Sequence, residues 1–239
     1  YRPGHFPSFQ ATLPRLSPKG NHLMSELIPR RYRGASAQER QQERHERLLD
    51  AGLHVFGQSG YHGATVRGIC QQAGLTERYF YESFANSEEL LCAVYALVLA
   101  SQRERMTAAI TQAAPQHDAM IRAGLSAFFA YIRECPAAAR VQFVEVLGVS
   151  PRVDQLYRHA IEDFARLMRT LDIQPSSAMT GIDGDMLSIG LIGAMVGIGS
   201  RWMLSGFTQS LDEMVATSEI LFAGVSQQLQ KRESLTNPH

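Results

Sequence analysis

The sequence predicts an all-α protein of about nine helices, and three observations lead there. Apolar side chains recur at three- and four-residue spacing, as in Leu49, Leu53 and Phe56, the period of one helix face. No window alternates apolar and polar residues with period two, and runs of β-branched residues are absent. Gly60, Gly74, Pro115, Pro136 and Pro151 fall between the periodic segments, where helices stop and start.

The elements follow in order. Residues 1–23 carry irregularly spaced prolines and no period, so a disordered extension over 1–36 is expected, with Met24 as the natural start. Its last part is rich in arginine: Arg30, Arg31 and Arg33. A first helix runs from Ala37 until Gly60 stops it. Thr65 suits the N-cap of a short helix from Val66 to Ala73, and Gly74 suits the left-handed turn after it. Thr76 is placed to cap a third helix reaching about Phe84. Asn86 or Ser87 caps a fourth, with Glu88 and Glu89 in the first turn favoured by the helix dipole. Beyond Leu90 helices are expected at about 87–112, 116–134, 137–148, 152–171, 184–204 and 209–230, followed by a tail over 231–239.

Composition bounds the function. The chain has 239 residues, 45% of them apolar, enough for one large or two small cores. Its 23 basic and 23 acidic side chains cancel, so net charge names no partner. Residues 1–92 hold 11 basic and 9 acidic groups and the remainder 12 and 14, a mild asymmetry that fits an N-terminal nucleic-acid contact. Three cysteines, Cys70, Cys92 and Cys135, are odd in number and unclustered, which points to a reducing, cytoplasmic setting. The longest uncharged run of the apolar region, Met186 to Ser200, is too short for ~30 Å of hydrocarbon, so no membrane partner is expected. No leader of a basic segment followed by an apolar one is present. Neither metal-ligand spacing nor a nucleophile, base or paired-carboxylate constellation emerges, so neither a metal, a cofactor nor an enzyme is expected. Asp183 and Asp185 lack the rest of a calcium ligand set and suit a turn and N-cap instead.

Residues 48–91 read LLDAGLHVFGQSGYHGATVRGICQQAGLTERYFYESFANSEELL. Two short helices joined by a glycine turn and braced by a preceding helix make a helix-turn-helix at about 65–84. Val66, Ile69, Leu75, Phe80 and Phe84 are spaced to form its small core. The second helix of such a unit fits the DNA major groove.

This stretch resembles the DNA-binding domain of the TetR family. The features that match are Ala51 and Phe56, Gly60-Tyr61, Thr65-Val66-Arg67, Ile69, Ala73-Gly74-Leu75-Thr76, Phe80-Tyr81, Phe84 and Glu88-Glu89-Leu90-Leu91. The resemblance implies a DNA-binding domain over 37–98 and a ligand-binding and dimerisation domain over 99–230. It implies a homodimer that grips a pseudo-palindromic operator in double-stranded DNA and, as a repressor, lets go when a small effector binds. Thr65 and Arg67 would touch phosphates, Thr76, Arg78 and Tyr79 would face base edges or nearby backbone, and Tyr81 would touch phosphate or a thymine methyl. Cys70 stands where the family usually has a small residue, which implies a buried, inert thiol.

The chain departs from the family where many members carry a non-acidic residue at Glu77 and a lysine at Ser87. Between Thr65 and Cys92 stand two basic residues and four acidic ones. Phosphate neutralisation supplies most non-specific affinity, so the arginines upstream (Arg30, Arg31, Arg33, Arg40, Arg44) are candidates to compensate. Glu77 either caps its helix or accepts from cytosine N4. A small-molecule binding protein with a degenerate DNA-binding unit is the alternative reading.

Aromatic and methionine side chains recur at helical spacing in the second half. Phe128, Tyr131, Phe143, Tyr157, Phe164, Met168 and Trp202, with Glu145, either pack a core or line an apolar effector cavity between helices. Glu145 could meet a cationic or hydroxylated ligand or form a salt bridge. Gly190, Gly193, Ala194 and Gly197 share one face of a helix. Each glycine there costs ~1 kcal/mol relative to alanine, which calls for a dimer interface, close internal packing or cavity space. Cys135 beside Pro136 could be exposed and redox-sensitive.

Overall fold

The computed structural model describes residues 36–169 and 181–236. The expected N-terminal extension, with Arg30, Arg31 and Arg33, lies outside them. Helices and turns account for all the regular structure described.

Helix α1 (Ala37–Ser59) begins on a capping box the sequence reading did not identify. Glu39 N donates to Ser36 Oγ, and Ser36 N donates to the Glu39 carboxylate at 2.6 Å. Gly60 ends it at φ 75°, its N–H donating to Phe56 O. Helix α2 (Val66–Ala73) starts on Thr65, whose Oγ1 accepts from Gly68 N. It closes on Gly74 at φ 62°, ψ 37°. There Leu75 N donates to Cys70 O and Gly74 N to Gln71 O, the paired bonds of a Schellman end. Arg47 from α1 reaches across and donates to Ala73 O through Nε at 3.1 Å, so the turn between the short helices is held from outside as well. Helix α3 (Glu77–Ser83) starts after Thr76, but no side-chain capping bond forms there, contrary to expectation. Glu77 is the first helical residue and not the cap. For α4 (Ser87–Ala113) the cap is Asn86, whose Oδ1 accepts from Glu89 N.

The second half contains α5 (His117–Glu134), α6 (Pro136–Arg140), α7 (Pro151–Arg169), α8 (Gly184–Leu204) and α9 (Leu211–Thr236). Asp183 caps α8 as its position suggested, accepting from Asp185 N and Met186 N. The single helix expected over 137–148 is instead the one-turn α6 followed by a π-helical turn, Val141–Glu145. A wider turn of this kind shifts the facing of every later side chain and recurs at functional sites.

Two apolar clusters form the core. One gathers Leu48, Phe56, Ile69, Phe80, Phe84 and Leu90 from the helix-turn-helix region, but it also includes Tyr131, Val141, Val146 and Val153. The other lies among α4, α5, α7, α8 and α9 around Phe128, Phe129, Trp202 and Phe222. The first cluster therefore crosses the expected boundary near residue 98, as α4 itself does. Gly57 permits this junction. A Cβ there would lie 2.5 Å from Ala137 Cβ, so only glycine lets α1 approach α6 so closely.

By length and composition α8 alone could cross a membrane, counting single helices among the described residues. The uncharged run Met186 to Ser200 stands as counted from sequence, and the helix extends past it to include Asp185 and Arg201. Leu191, Ile192, Met195 and Trp202 on that helix are buried in the core, as for the core helix of a bundle.

Candidate nucleic-acid interface and ligand cavity

The helix-turn-helix presents a polar outer surface built on the buried Ile69, Phe80 and Phe84. Thr65, Arg67, Thr76, Arg78 and Tyr81 are all exposed on it. Tyr81 is 58% exposed, unusual for so large a ring. Tyr79 is half-buried beneath the Arg44 guanidinium, which sits 4.5 Å from the ring centroid. Such a contact is worth about 0.5–1 kcal/mol near a surface, and it sets a positive charge from α1 beside the start of α3. Arg78 is 84% exposed, and its Nε donates to Glu82 Oε1 at 3.0 Å, one turn along the helix. That bond engages Nε only, and exposed pairs of this type hold weakly.

Of the upstream arginines proposed to compensate for local acidity, Arg44 is placed to do so, while Arg30, Arg31 and Arg33 lie outside the described residues. Arg47, which the sequence reading passed over, is engaged with the turn.

A mainly apolar cavity, partly open to solvent, lies among α4, α5, α7, α8, α9 and the π turn. Tyr95, Leu99, Gln102, Met106 and Ile110 contribute from α4, and Ile121, Leu125 and Phe128 from α5. Gln142 and Phe143 come from the π turn, Tyr157, Ala160, Ile161 and Phe164 from α7, Ile192, Met195 and Val196 from α8, and Phe222 from α9. No charged side chain among the described residues is on this wall. Burial raises the pKa of Tyr95 and, less strongly, of Tyr157, with Tyr157 adding to the effect on Tyr95. Both phenols are therefore neutral at physiological pH.

The residues singled out from sequence divide. Phe128, Phe143, Tyr157 and Phe164 line the cavity. Tyr131, Trp202 and Glu145 do not, and each has a different employment. Tyr131 belongs to the other cluster and donates its hydroxyl proton to Val98 O at 3.2 Å. Trp202 packs edge-on against Phe129 and Phe207 and donates from Nε1 to Gln209 O. Glu145 forms the salt bridge that was one of its two expected roles. Its side chain is 10% exposed, pairs with Arg140 Nε at 2.8 Å and accepts from Tyr61 N at 2.7 Å. It thereby ties the π turn to the end of α1. The side chain of Met168 lies outside the described residues. Gln102 and Gln142 were missed. Their signal was a polar amide inside an apolar stripe: Tyr95, Val98, Gln102, Met106 on α4, and VQFVEVL around Gln142.

The glycine face of α8 is open. A Cβ on Gly190, Gly193 or Gly197 would meet nothing within 4 Å among the described residues, so packing against those residues does not explain the glycines. Ala194 is half-buried. Met186 and Leu204 continue the exposed face along α8, and Ile220 and Leu221 expose apolar surface on α9. Cys135 is buried rather than exposed.

Residues 48–94 match the family model described as bacterial regulatory proteins, tetR family. The chain is 26% identical over 188 residues to the HTH-type transcriptional activator FasR of Mycolicibacterium smegmatis, covering 77% of this chain and 84% of that protein. Among solved structures it is similar to the fatty acid degradation regulator FadR from Bacillus halodurans (TM-score 0.67, 16% identity, 76% of this chain and 95% of the other). It is also similar to the transcriptional regulator FadR from Bacillus subtilis, crystallised with stearoyl-CoA (TM-score 0.65, 19% identity, 74% and 96%). At these identities the solved structures speak for the fold alone.

Proposed function

We propose, from the match of residues 48–94 to the tetR family model and the similarity to a transcriptional activator, that the chain is a transcriptional regulator of the tetR family rather than an enzyme. On that premise it acts in the cytoplasm as a homodimeric repressor that leaves a pseudo-palindromic operator when an apolar, chain-like effector enters the cavity. The observation that carries this reading is the cavity wall: mostly hydrocarbon and aromatic side chains from five helices and the π turn, with two glutamine amides and no charge among them. An alkyl or acyl chain gains ~25 cal/mol per Å2 buried against such a wall. A carboxylate or phosphate moved there would lose its hydration without compensation. If the effector is a fatty acyl thioester, as with the Bacillus subtilis relative crystallised with stearoyl-CoA, its acyl chain occupies the cavity and its charged part stays outside.

On the DNA side, Thr65 and Arg67 contact phosphates, Thr76, Arg78 and Tyr79 face base edges or nearby backbone, and Tyr81 meets phosphate or a thymine methyl. The open faces of α8 and α9 join two copies, with Gly190, Gly193, Ala194 and Gly197 at the contact. This sets two recognition helices in successive major grooves, ~34–36 Å apart.

The test is selection of genomic fragments by the purified protein at two salt concentrations, repeated with added acyl-CoA. Recovery of a palindrome that is lost with ligand supports the proposal. One relative is named an activator, so a reporter fused to the recovered promoter should be read with and without the gene for this protein. A second reading, a ligand-binding protein without sequence-specific DNA contacts, draws on the Arg78–Glu82 pair and the acidic helix-turn-helix. Failure to enrich any fragment from ligand-free protein would favour it.

A further inference from the structure

The cavity assigned above to the effector has one feature that a site for plain hydrocarbon does not need. Gln102 and Gln142 meet on its wall, 0% and 5% exposed. Nε2 of Gln142 donates to Oε1 of Gln102 at 2.8 Å. One bond between two primary amides leaves each of them half used. Nε2 of Gln102 and Oε1 of Gln142 are buried and have no hydrogen-bond partner. Exchanging nitrogen and oxygen in both amides gives the same remainder, one amide NH2 and one amide oxygen without any partner. Buried amide groups are rarely left this way because the desolvation is uncompensated. The π turn adds a second observation. Gln142 and Phe143 are its second and third residues and reach the cavity, whereas Val141 packs into the neighbouring cluster. The irregular turn thus carries a polar residue to an otherwise apolar wall.

We propose that the Gln102–Gln142 pair reads a hydroxyl group on an otherwise hydrocarbon effector. The spare amide N–H donates to the hydroxyl oxygen, and the spare amide oxygen accepts the hydroxyl proton. A hydroxyl satisfies both amides at once. A carboxylate only accepts, brings a charge to a wall without cations, and leaves the Gln142 oxygen facing another oxygen. An ether only accepts. The inference rests on the cavity being the effector site and goes further by naming a neutral, hydroxyl-bearing chain.

The experiment is calorimetric titration of the full-length protein with decanol isomers hydroxylated at carbon 1, 3 or 5, with 1-methoxydecane, and with decanoate. The best decanol isomer is expected to bind about tenfold tighter than the ether or the carboxylate, the scale of a buried hydrogen-bonding group left unpaired. In Q102M/Q142M, which keeps side-chain length, that advantage should fall below about twofold while the ether binds as before. Equal binding of all ligands by the wild type, as when a trapped water already serves both amides, overturns the inference and leaves the cavity reading intact. Binding of none overturns both. The wild-type series decides the matter even if the double variant fails to fold.

Discussion

At the scale of single residues, the side chains proposed to face DNA differ in what they can discriminate. Arg78 sits in the first turn of α3, almost fully exposed and held only through Nε, which leaves its terminal nitrogens for a bidentate contact with guanine. Arg78→Gln is expected to cost ~1–3 kcal/mol at one operator position and to relax preference there, measured by binding to a panel of single-base operator variants. Arg67 lies at the start of α2 with a phosphate contact in view. Arg67→Ala should weaken all sequences alike and lower the salt slope by about one. An unchanged slope would remove the phosphate role. The buried thiols make a pH prediction. Burial chiefly, with Glu134 adding and Arg105 opposing, pushes Cys135 from 9.0 up to about 11. The folded state thus prefers the neutral thiol more than the unfolded chain does. The associated stability is complete below the unfolded value and is lost as pH rises from about 9 towards 11. Urea denaturation at pH 8 and pH 10.5 should show a smaller loss for Cys135→Ala than for the wild type. Near neutrality Cys135 should react with a thiol reagent only on unfolding, which argues against a redox-sensing role.

At the scale of elements, the π turn Val141–Glu145 is the piece that touches both halves of the function. Gln142 and Phe143 line the cavity, and three residues on Glu145 holds Tyr61 N beside the end of α1. On the proposed function, a ligand that moves Phe143 would act on the end of α1 through the Glu145–Tyr61 bond of 2.7 Å. Glu145→Gln keeps an acceptor for Tyr61 but loses the charge pair with Arg140. Its DNA affinity without ligand should stay within about threefold of wild type. Its ligand-induced loss of affinity should shrink severalfold, within the ~1–3 kcal/mol typical of coupling between sites. Gel-shift titrations with and without the effector read both quantities, and an unchanged ligand response would exclude this route.

At the scale of the whole molecule, the open face of α8 and the exposed Ile220 and Leu221 of α9 have no covering among the described residues. Glycine there lets two helices approach to backbone distance, and a long charged side chain would hold them apart. Gly193→Arg is expected to convert a dimer to a monomer by light scattering while leaving helix content unchanged. Affinity for a palindrome should fall by roughly a hundredfold or more, because the second half-site no longer gains from the first. A dimer that survives Gly193→Arg would place the interface elsewhere.

The helix boundaries, the helix-turn-helix and its small core were legible in the sequence because they are local. A cap, a left-handed glycine and a stripe of apolar residues act within a few positions, as Thr65, Gly74 and the set Ile69, Phe80 and Phe84 show. The cavity was legible only in kind. Four aromatic side chains of the expected set do line it, but Tyr131, Trp202 and Glu145 went to a core, a loop carbonyl and an interdomain tie. Helical period reveals that a residue faces inward and not which of two adjoining clusters it enters. That choice depends on contacts between helices distant in the chain, such as Gly57 against Ala137 and Gln102 against Gln142, forty residues apart. The π turn belongs to the same class. Nothing in VQFVEVL marks an extra residue per turn, and the turn lies where α6 packs against both α1 and α8, contacts that local sequence does not reveal.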